Sequence, residues 1–183
     1  TWLVARGNKQ EADAMIERKE YLQRLYDWKD EQVIKVVTGI RRCGKSTLLK
    51  QYQEKLMQSG ILPEQIISIN FEDLEYEELL DYKALYRYIK ERLCEGKMTY
   101  IFLDEIQKVD SFEKAVDSIY IKDMTDIYIT GSNAYMLSGD LATLLTGRYV
   151  EISMLPFSFR DYYALTAPEL SPDAAFADYM RYG

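Results

Sequence analysis

A chain of 183 residues, 48% of them apolar and 29% charged, is long enough to bury one domain and too short to hold two comfortably. It has no histidine, which removes histidine triads, metal sites and general bases together, so acid–base work falls to carboxylates, lysine or tyrosine. The net charge of −7 discourages generic nucleic-acid binding while leaving room for a local basic patch, and two cysteines, Cys43 and Cys94, suit a reducing cytosol better than a disulfide scaffold.

Residues 1–14 are polar and rich in small side chains, without a firm period. They are read as an N-terminal extension, disordered or non-native, with Met15 as the alternative start. From Met15 the pattern turns helical, because Ile16, Leu22, Leu25 and Tyr26 fall mostly on one face. Residues 33–37 form the first predicted strand, 39–44 a loop and 46–58 a helix stopped by Ser59 and Gly60. A second strand is predicted over 65–71, a helix over 81–94, a third strand over 99–104 and a helix over 111–120 with Ser111 as its N-cap. A fourth strand over 126–130 precedes a short helix over 138–145, and a fifth strand over 148–154 is closed by Pro156. Residues 158–164 and 173–182 read as helical. The strands are nearly continuous apolar runs alternating with helices, which predicts a parallel sheet covered on both faces. The longest apolar runs are far too short to cross a membrane, and no secretory signal pattern opens the chain, so a cytoplasmic protein with no membrane partner is expected.

Residues 39–46 match the pattern G-x-x-x-x-G-K-[ST]. The glycines let the backbone curl so that successive N–H groups face phosphate oxygens. In this pattern Lys45 reaches the β- and γ-phosphates, Ser46 ligates Mg²⁺, and the following helix adds its N-terminal dipole. Gly39, Ile40, Arg41, Arg42, Cys43, Gly44, Lys45, Ser46 and Thr47 are therefore the candidate nucleotide-binding residues, with Thr47 at the α-phosphate. Arg41 and Arg42 either hold phosphates, touch a neighbouring subunit or nucleic acid, or form a solvated basic pair. Cys43 is either a thiol facing the nucleotide or a small loop residue.

The run 100–105 places four apolar residues ahead of Asp104 and Glu105. A strand-end aspartate is suited to Mg²⁺, a hard cation that takes oxygen ligands, which makes Ser46 and Asp104 the candidate metal residues. Glu105 is the candidate general base that orients the attacking water; the alternative is that it caps the next helix or pairs with Lys108. Residues 127–133 again end an apolar strand in polar groups. If this strand lies between the other two, Thr130, Ser132 and Asn133 approach the γ-phosphate, the alternative being ordinary turn chemistry. Arg148, at the start of the predicted fifth strand, is a candidate finger on a neighbouring subunit's nucleotide, or else a surface or structural arginine.

With these motifs the chain resembles the bacterial and archaeal AAA+ superfamily ATPases, whose ATP-binding domain usually precedes a separate C-terminal domain. The resemblance rests on residues 16–18 with Tyr21 and Leu22, on 38–49, 69–72, 103–107, 129–134, 147–149 and 155–159, and covers about 15–163. It implies an α/β P-loop NTPase fold, a three-layer sandwich with a five-stranded parallel sheet in the order 5-1-4-3-2. It implies ATP and Mg²⁺ as cofactors, an ATPase core over 15–165, and the start of a truncated helical lid over 166–183. It further implies catalysis by Glu105, γ-phosphate sensing near Ser132 or Asn133, a homo-oligomer with Arg148 acting in trans, and Arg18 and Tyr21 bordering the adenine. The expected activity is ATP hydrolysis that drives conformational change in an attached C-terminal domain or a macromolecular partner; the alternative is a nucleotide-gated switch with little turnover.

Overall fold

The strand residues 34–39 are all buried in the computed structural model, which describes residues 17–132, 145, 147–156, 158–166 and 170–182. This strand, β1 (Ile34–Gly39), follows helix α1 (Lys19–Asp27) and leads through a loop into α2 (Lys45–Gln58). β2 (Ile66–Asn70), α3 (Tyr82–Lys90), β3 (Thr99–Asp104), α4 (Phe112–Tyr120) and β4 (Thr125–Ser132) follow. β5 (Tyr149–Met154), α5 (Phe159–Thr166) and α6 (Pro172–Tyr182) complete the described elements.

The five strands are parallel, in the order β2-β3-β4-β1-β5, which is the expected order read from the other edge. Burial tracks position in the sheet. β1 and β3 are buried along their whole length, whereas the edge strands β2 and β5 alternate between buried and exposed residues. One face carries Val36, Ile69, Ile101, Leu103, Ile127 and Ile129 against Leu85 and Ile89 of α3 and Ala115, Val116 and Ile119 of α4. The other face is aromatic: Tyr100, Phe102 and Tyr128 pack on Leu25 of α1 and Leu48, Tyr52 and Leu56 of α2. Phe102 and Tyr128 stack with ring centroids 4.7 Å apart.

Some predicted boundaries shift for local reasons. Asp81 is the cap of α3 rather than its first residue, accepting from the Lys83 and Ala84 amides at 3.0 and 3.1 Å. The helix ends at Lys90, not Cys94, because the Arg92 guanidinium folds back over the Tyr88 ring at 3.6 Å and the Cys94 amide turns to the Thr99 hydroxyl. Ser111 stands ahead of α4 without capping it: its backbone is left-handed (φ 54°) and its side chain makes no cap bond. The predicted helix over 138–145 lies outside the described residues apart from Leu145, as do residues 1–16. The segment expected to begin a lid is helical over 172–182, and α6 packs on α5 through Phe159 and Phe176, 5.1 Å apart, and a Tyr162–Asp178 hydrogen bond of 2.7 Å.

Opposite the end where the strands deliver their loops, the foot of the sheet is closed by a buried polar network that the sequence reading does not contain. Lys35 of β1 and Asp126 of β4 form a fully buried ion pair of 2.6 Å. Asp126 also accepts from the Asp30 amide and the Tyr128 hydroxyl, and Lys35 donates to the Glu31 carbonyl. Burial pulls Lys35 down and Asp126 up toward their neutral forms, and their mutual contact opposes both shifts. The Tyr52 and Tyr128 hydroxyls meet at 3.0 Å, and Tyr100 donates to Asp30 at 2.7 Å. Burial pushes the Tyr100 phenol up to about 12 and raises Tyr52 and Tyr128 further.

Candidate functional site

β1 ends at Gly39, which stands opposite Ser132 of β4 and Met154 of β5. A Cβ at Gly39 would come within 2.6 Å of both Cys43 Sγ and the Met154 carbonyl, so only glycine fits where the loop folds back over the strand end. The chain reverses through Arg42 (φ 67°) and Gly44 (φ 98°), then enters α2 at Lys45. The Cys43 side chain is buried at 3% exposure within the aromatic-face core, so its thiol packs there and leaves only its backbone to the loop. Ile40, Arg41 and Arg42 are exposed; Arg41 lies 3.9 Å from Glu72, a contact between exposed groups. Ser46 and Thr47 lie in the first turn of α2, half-buried.

Lys45 is buried to 4% exposure. Its Nζ donates to the Gly39 and Ile40 carbonyls at 3.2 and 3.3 Å and lies 3.8 Å from Glu105 Oε1. The ammonium is thus held inside the curl of its own loop, at the ends of the central strands.

Asp104 closes β3 at 8% exposure. β4 runs between β3 and β1, the condition on which the reading of its polar end depended. Thr130 of β4 is fully buried; its hydroxyl donates to Asp104 Oδ1 and accepts from the Glu105 amide at 2.9 Å. This bond holds Glu105 in a left-handed backbone (φ 56°), a conformation that costs a non-glycine residue about 1–3 kcal/mol. The Glu105 side chain makes no cap bond to the helical turn Ile106–Lys108, so the capping alternative fails. Its carboxylate instead receives Gln107 Nε2 on one oxygen and faces Lys45 with the other. Gln107 Oε1 is buried and, among the described residues, has no hydrogen-bond partner.

The structure therefore gathers Gly39, Lys45, Ser46, Asp104, Glu105 and Thr130 at one end of the sheet. Ser132 lies at the end of β4 beside Gly39, but nothing is described of its side chain, and Asn133 lies outside the described residues. Arg18 and Tyr21 reach the same end: Arg18 donates to the Leu155 carbonyl and Tyr21 Oη accepts from the Leu155 amide, each at 3.1 Å. The Arg18 guanidinium also covers the Tyr21 ring at 4.7 Å.

Arg148 is not brought to this site. It precedes β5, whose first residue pairs with Ile34 at the foot of the sheet, five residues and about 16 Å from Gly39. There it pairs with Asp117 of α4 and lies 5.6 Å from the Tyr120 ring. Two contributors escaped the site reading. Gln107 figures there only as part of a matching motif, with no role of its own, and Thr130 as a neighbour of the phosphate rather than the brace of both acids. A hydroxyl ending an apolar strand between the loop strand and the acid strand is the signal that points to Thr130.

No helix among the described residues is long and apolar enough to cross a membrane. Among proteins of known sequence, the chain is 44% identical over 174 residues to an uncharacterized protein of Haemophilus influenzae, covering 93% of this chain and 44% of that one. It is 35% identical over 131 residues to an uncharacterized protein of Methanocaldococcus jannaschii, covering 70% of this chain and 28% of that one. The chain thus spans less than half the length of either relative. Among solved structures, it superposes on PCH-2 of C. elegans (TM-score 0.55, 17% identity, 81% of this chain and 43% of that one). It also superposes on the Aeropyrum pernix ORC1 protein, solved in complex with DNA (TM-score 0.57, 14% identity, 85% of this chain and 50% of that one). These likenesses agree with the strand order in giving a P-loop NTPase fold. The model of the AAA domain family matches residues 31–163, from the approach to β1 into α5, and the chain belongs to that family as an AAA+ superfamily ATPase domain.

Proposed function

We propose that this chain binds MgATP at residues 39–47 and hydrolyses it, with Glu105 orienting and deprotonating the attacking water. The observation that carries the reading is the convergence of Lys45, Asp104, Glu105 and Thr130 at one sheet end, with Lys45 Nζ 3.8 Å from Glu105. The donor set fits a hard cation with a phosphate chain: carboxylate, hydroxyl and backbone amide groups around one buried ammonium. Gln107 Oε1, buried beside Glu105 and without a partner among the described residues, is an acceptor to which a water can donate. Ser46 and Asp104 would hold Mg²⁺, which supplies charge neutralisation at the transferring phosphoryl group. Lys45 exchanges its contacts with the Gly39 and Ile40 carbonyls for phosphate oxygens, and in doing so releases Glu105. Thr130 keeps Asp104 and Glu105 in register. Ser132 and Asn133 serve as γ-phosphate sensors, and Arg18 and Tyr21 border the adenine. Hydrolysis drives conformational change in an attached C-terminal domain or a macromolecular partner.

The contacts of Glu105 with Lys45 and Gln107 favour one second reading, a nucleotide-gated switch that binds ATP and scarcely turns it over. In that reading Glu105 stays engaged when nucleotide is present. Phosphate release from MgATP, measured beside Glu105→Gln at several protein concentrations, separates the two. An ATPase loses turnover in Glu105→Gln and keeps binding, and Lys45→Ala loses binding. Turnover in Glu105→Gln equal to that of the parent chain overturns the assignment of Glu105, whereas binding without turnover in the parent chain supports the switch.

A further inference from the structure

On the flank of the domain, away from the phosphate loop, α3 and α4 enclose a groove of about 330 Å³. Lys83, Arg87 and Lys90 line it from α3 at the spacing i, i+4, i+7, which forms one stripe about 10 Å long. Lys114 of α4 faces them across the groove. Tyr82 and Tyr86, half-buried one helical turn apart, form part of its wall. Lys83 Nζ and Lys114 Nζ lie 5.7 and 5.2 Å from the centroid of the Tyr82 ring.

None of these four cations has a carboxylate partner among the described residues, and no acidic residue lines the groove. Elsewhere among the described residues Arg24 pairs with Glu20, Lys55 with Glu17 and Arg148 with Asp117. In a chain of net charge −7, four cations without a carboxylate partner among the described residues face one concavity, two of them over the Tyr82 ring. Together they create an anion-attracting groove on an otherwise acidic molecule. Its occupant must supply repeated negative charge along a line and flat apolar surfaces for two tyrosine rings. A peptide of aspartate and glutamate alone meets the first requirement only. A single nucleic-acid strand meets both, with phosphates to the cations and bases stacked on the rings.

We propose that the α3–α4 groove binds single-stranded nucleic acid, through Lys83, Arg87, Lys90 and Lys114 to the phosphates and through Tyr82 and Tyr86 to the bases. The assignment is independent of ATP hydrolysis, since none of these residues lies at the phosphate loop.

The test is fluorescence anisotropy of labelled single-stranded DNA and RNA oligonucleotides of mixed sequence, titrated with the chain at several salt concentrations. A duplex of the same sequence and a polyglutamate competitor serve as further arms. The expected result is binding of single strands in preference to duplex, with log affinity falling against log salt with a slope of about −2.8, roughly 0.7 for each of four cations. Arg87→Ala reduces that slope by about 0.7. Tyr86→Ala weakens binding about fivefold or more and leaves the slope unchanged, the signature of lost stacking. Unfolding midpoints of both variants equal to the parent's separate lost contact from lost fold. Absence of binding at low salt overturns the proposal. So does parental affinity in a Lys83→Glu, Arg87→Glu, Lys90→Glu triple variant, or preference for duplex. Displacement by polyglutamate together with parental affinity in Tyr86→Ala reassigns the groove to acidic peptides.

Discussion

Replacing Thr130 by valine removes one hydroxyl and changes little else, because the two side chains have nearly the same shape. That hydroxyl makes two bonds, donating to Asp104 Oδ1 and accepting from the Glu105 amide at 2.9 Å, in a side chain that is fully buried. Leaving a buried N–H without an acceptor costs about 1–3 kcal/mol, and withdrawing a donor from a carboxylate about 1.5–3 kcal/mol. Asp104 is 8% exposed, so water recovers part of the second loss. Glu105 recovers part of the first by relaxing from its left-handed backbone. The net expectation is a loss of about 2 kcal/mol of stability, a sizeable share of the 5–15 kcal/mol of an ordinary domain. The relaxation that spares stability is what harms catalysis, because displacing a reacting group by about 1 Å costs up to 10²-fold in rate. Thr130→Val should therefore lose turnover by about two orders of magnitude while nucleotide affinity changes much less, and Thr130→Ser should restore most of both. Urea unfolding followed by circular dichroism gives the stability, and phosphate release with fluorescent-nucleotide binding gives the split between turnover and affinity. Parental turnover in Thr130→Val, or a Thr130→Ser variant as impaired as the valine, would refute the reasoning.

Lys35→Met leaves Asp126 buried without its cation and should cost about 3–5 kcal/mol, most of which Lys35→Met with Asp126→Leu recovers; urea midpoints of the single and double variants check this. Because burial already raises Asp126, the single variant should be least destabilised at low pH, where the carboxyl can take a proton. Burial holds the Tyr100 phenol at about 12, against an ordinary value of 10.0, and raises Tyr52 and Tyr128 as well. With folded values above unfolded ones, their contribution is complete below pH 10.0 and is lost as pH rises toward and through 12. Unfolding midpoints falling across that window, with tyrosinate absorbance appearing only on unfolding, would bear it out, whereas smooth ionisation of all phenols in the folded chain would not. Arg148, about 16 Å down the sheet from Gly39, can serve only another subunit's nucleotide. Arg148→Ala and Lys45→Ala, each inactive alone, should regain turnover on mixing if the finger acts in trans, and stay inactive if Arg148 is a surface residue held by Asp117.

The fold was legible because its signals are local and coincide. Apolar runs end at glycines or acids, each run is followed by a helical period, and the loop pattern sits between the first strand and the first long helix. The meeting of Lys45, Asp104 and Glu105 at one sheet end was legible because each is adjacent in sequence to the feature that places it. What escaped is non-local. Thr130 meets Glu105 across 25 residues and Lys35 meets Asp126 across 91, and no window along the chain contains both partners. A lysine inside an apolar strand, at position 35, reads as an exposed interruption until its carboxylate is seen. The groove is hidden for the same reason, since its cations come from two helices that only the fold makes neighbours. Ser111 failed in the opposite way: a good cap residue at a good cap position, overruled by the left-handed turn that carries the chain from Val109 into α4.

The two ends of the sheet differ in how freely their contacts can rearrange. At the foot, a fully buried ion pair, three tyrosines and the Asp30 amide bind β1, β3 and β4 to α2 and to the segment before β1. Moving any of these elements strands a buried charge or hydroxyl, so the foot resists shear. At the head, the contacts are exchangeable. Lys45 bonds to carbonyls of its own loop, Glu105 is shared between Lys45 and Gln107, and Arg18 and Tyr21 meet Leu155 through hydrogen bonds of 3.1 Å. Each of these can be replaced by a bond to phosphate, water or base at little net cost. Leu155 leads directly toward α5, against which α6 packs. If the proposed hydrolysis begins a change at Lys45 and Glu105, that change meets a rigid sheet below it, and α5 and α6 are the described elements best placed to carry it onward.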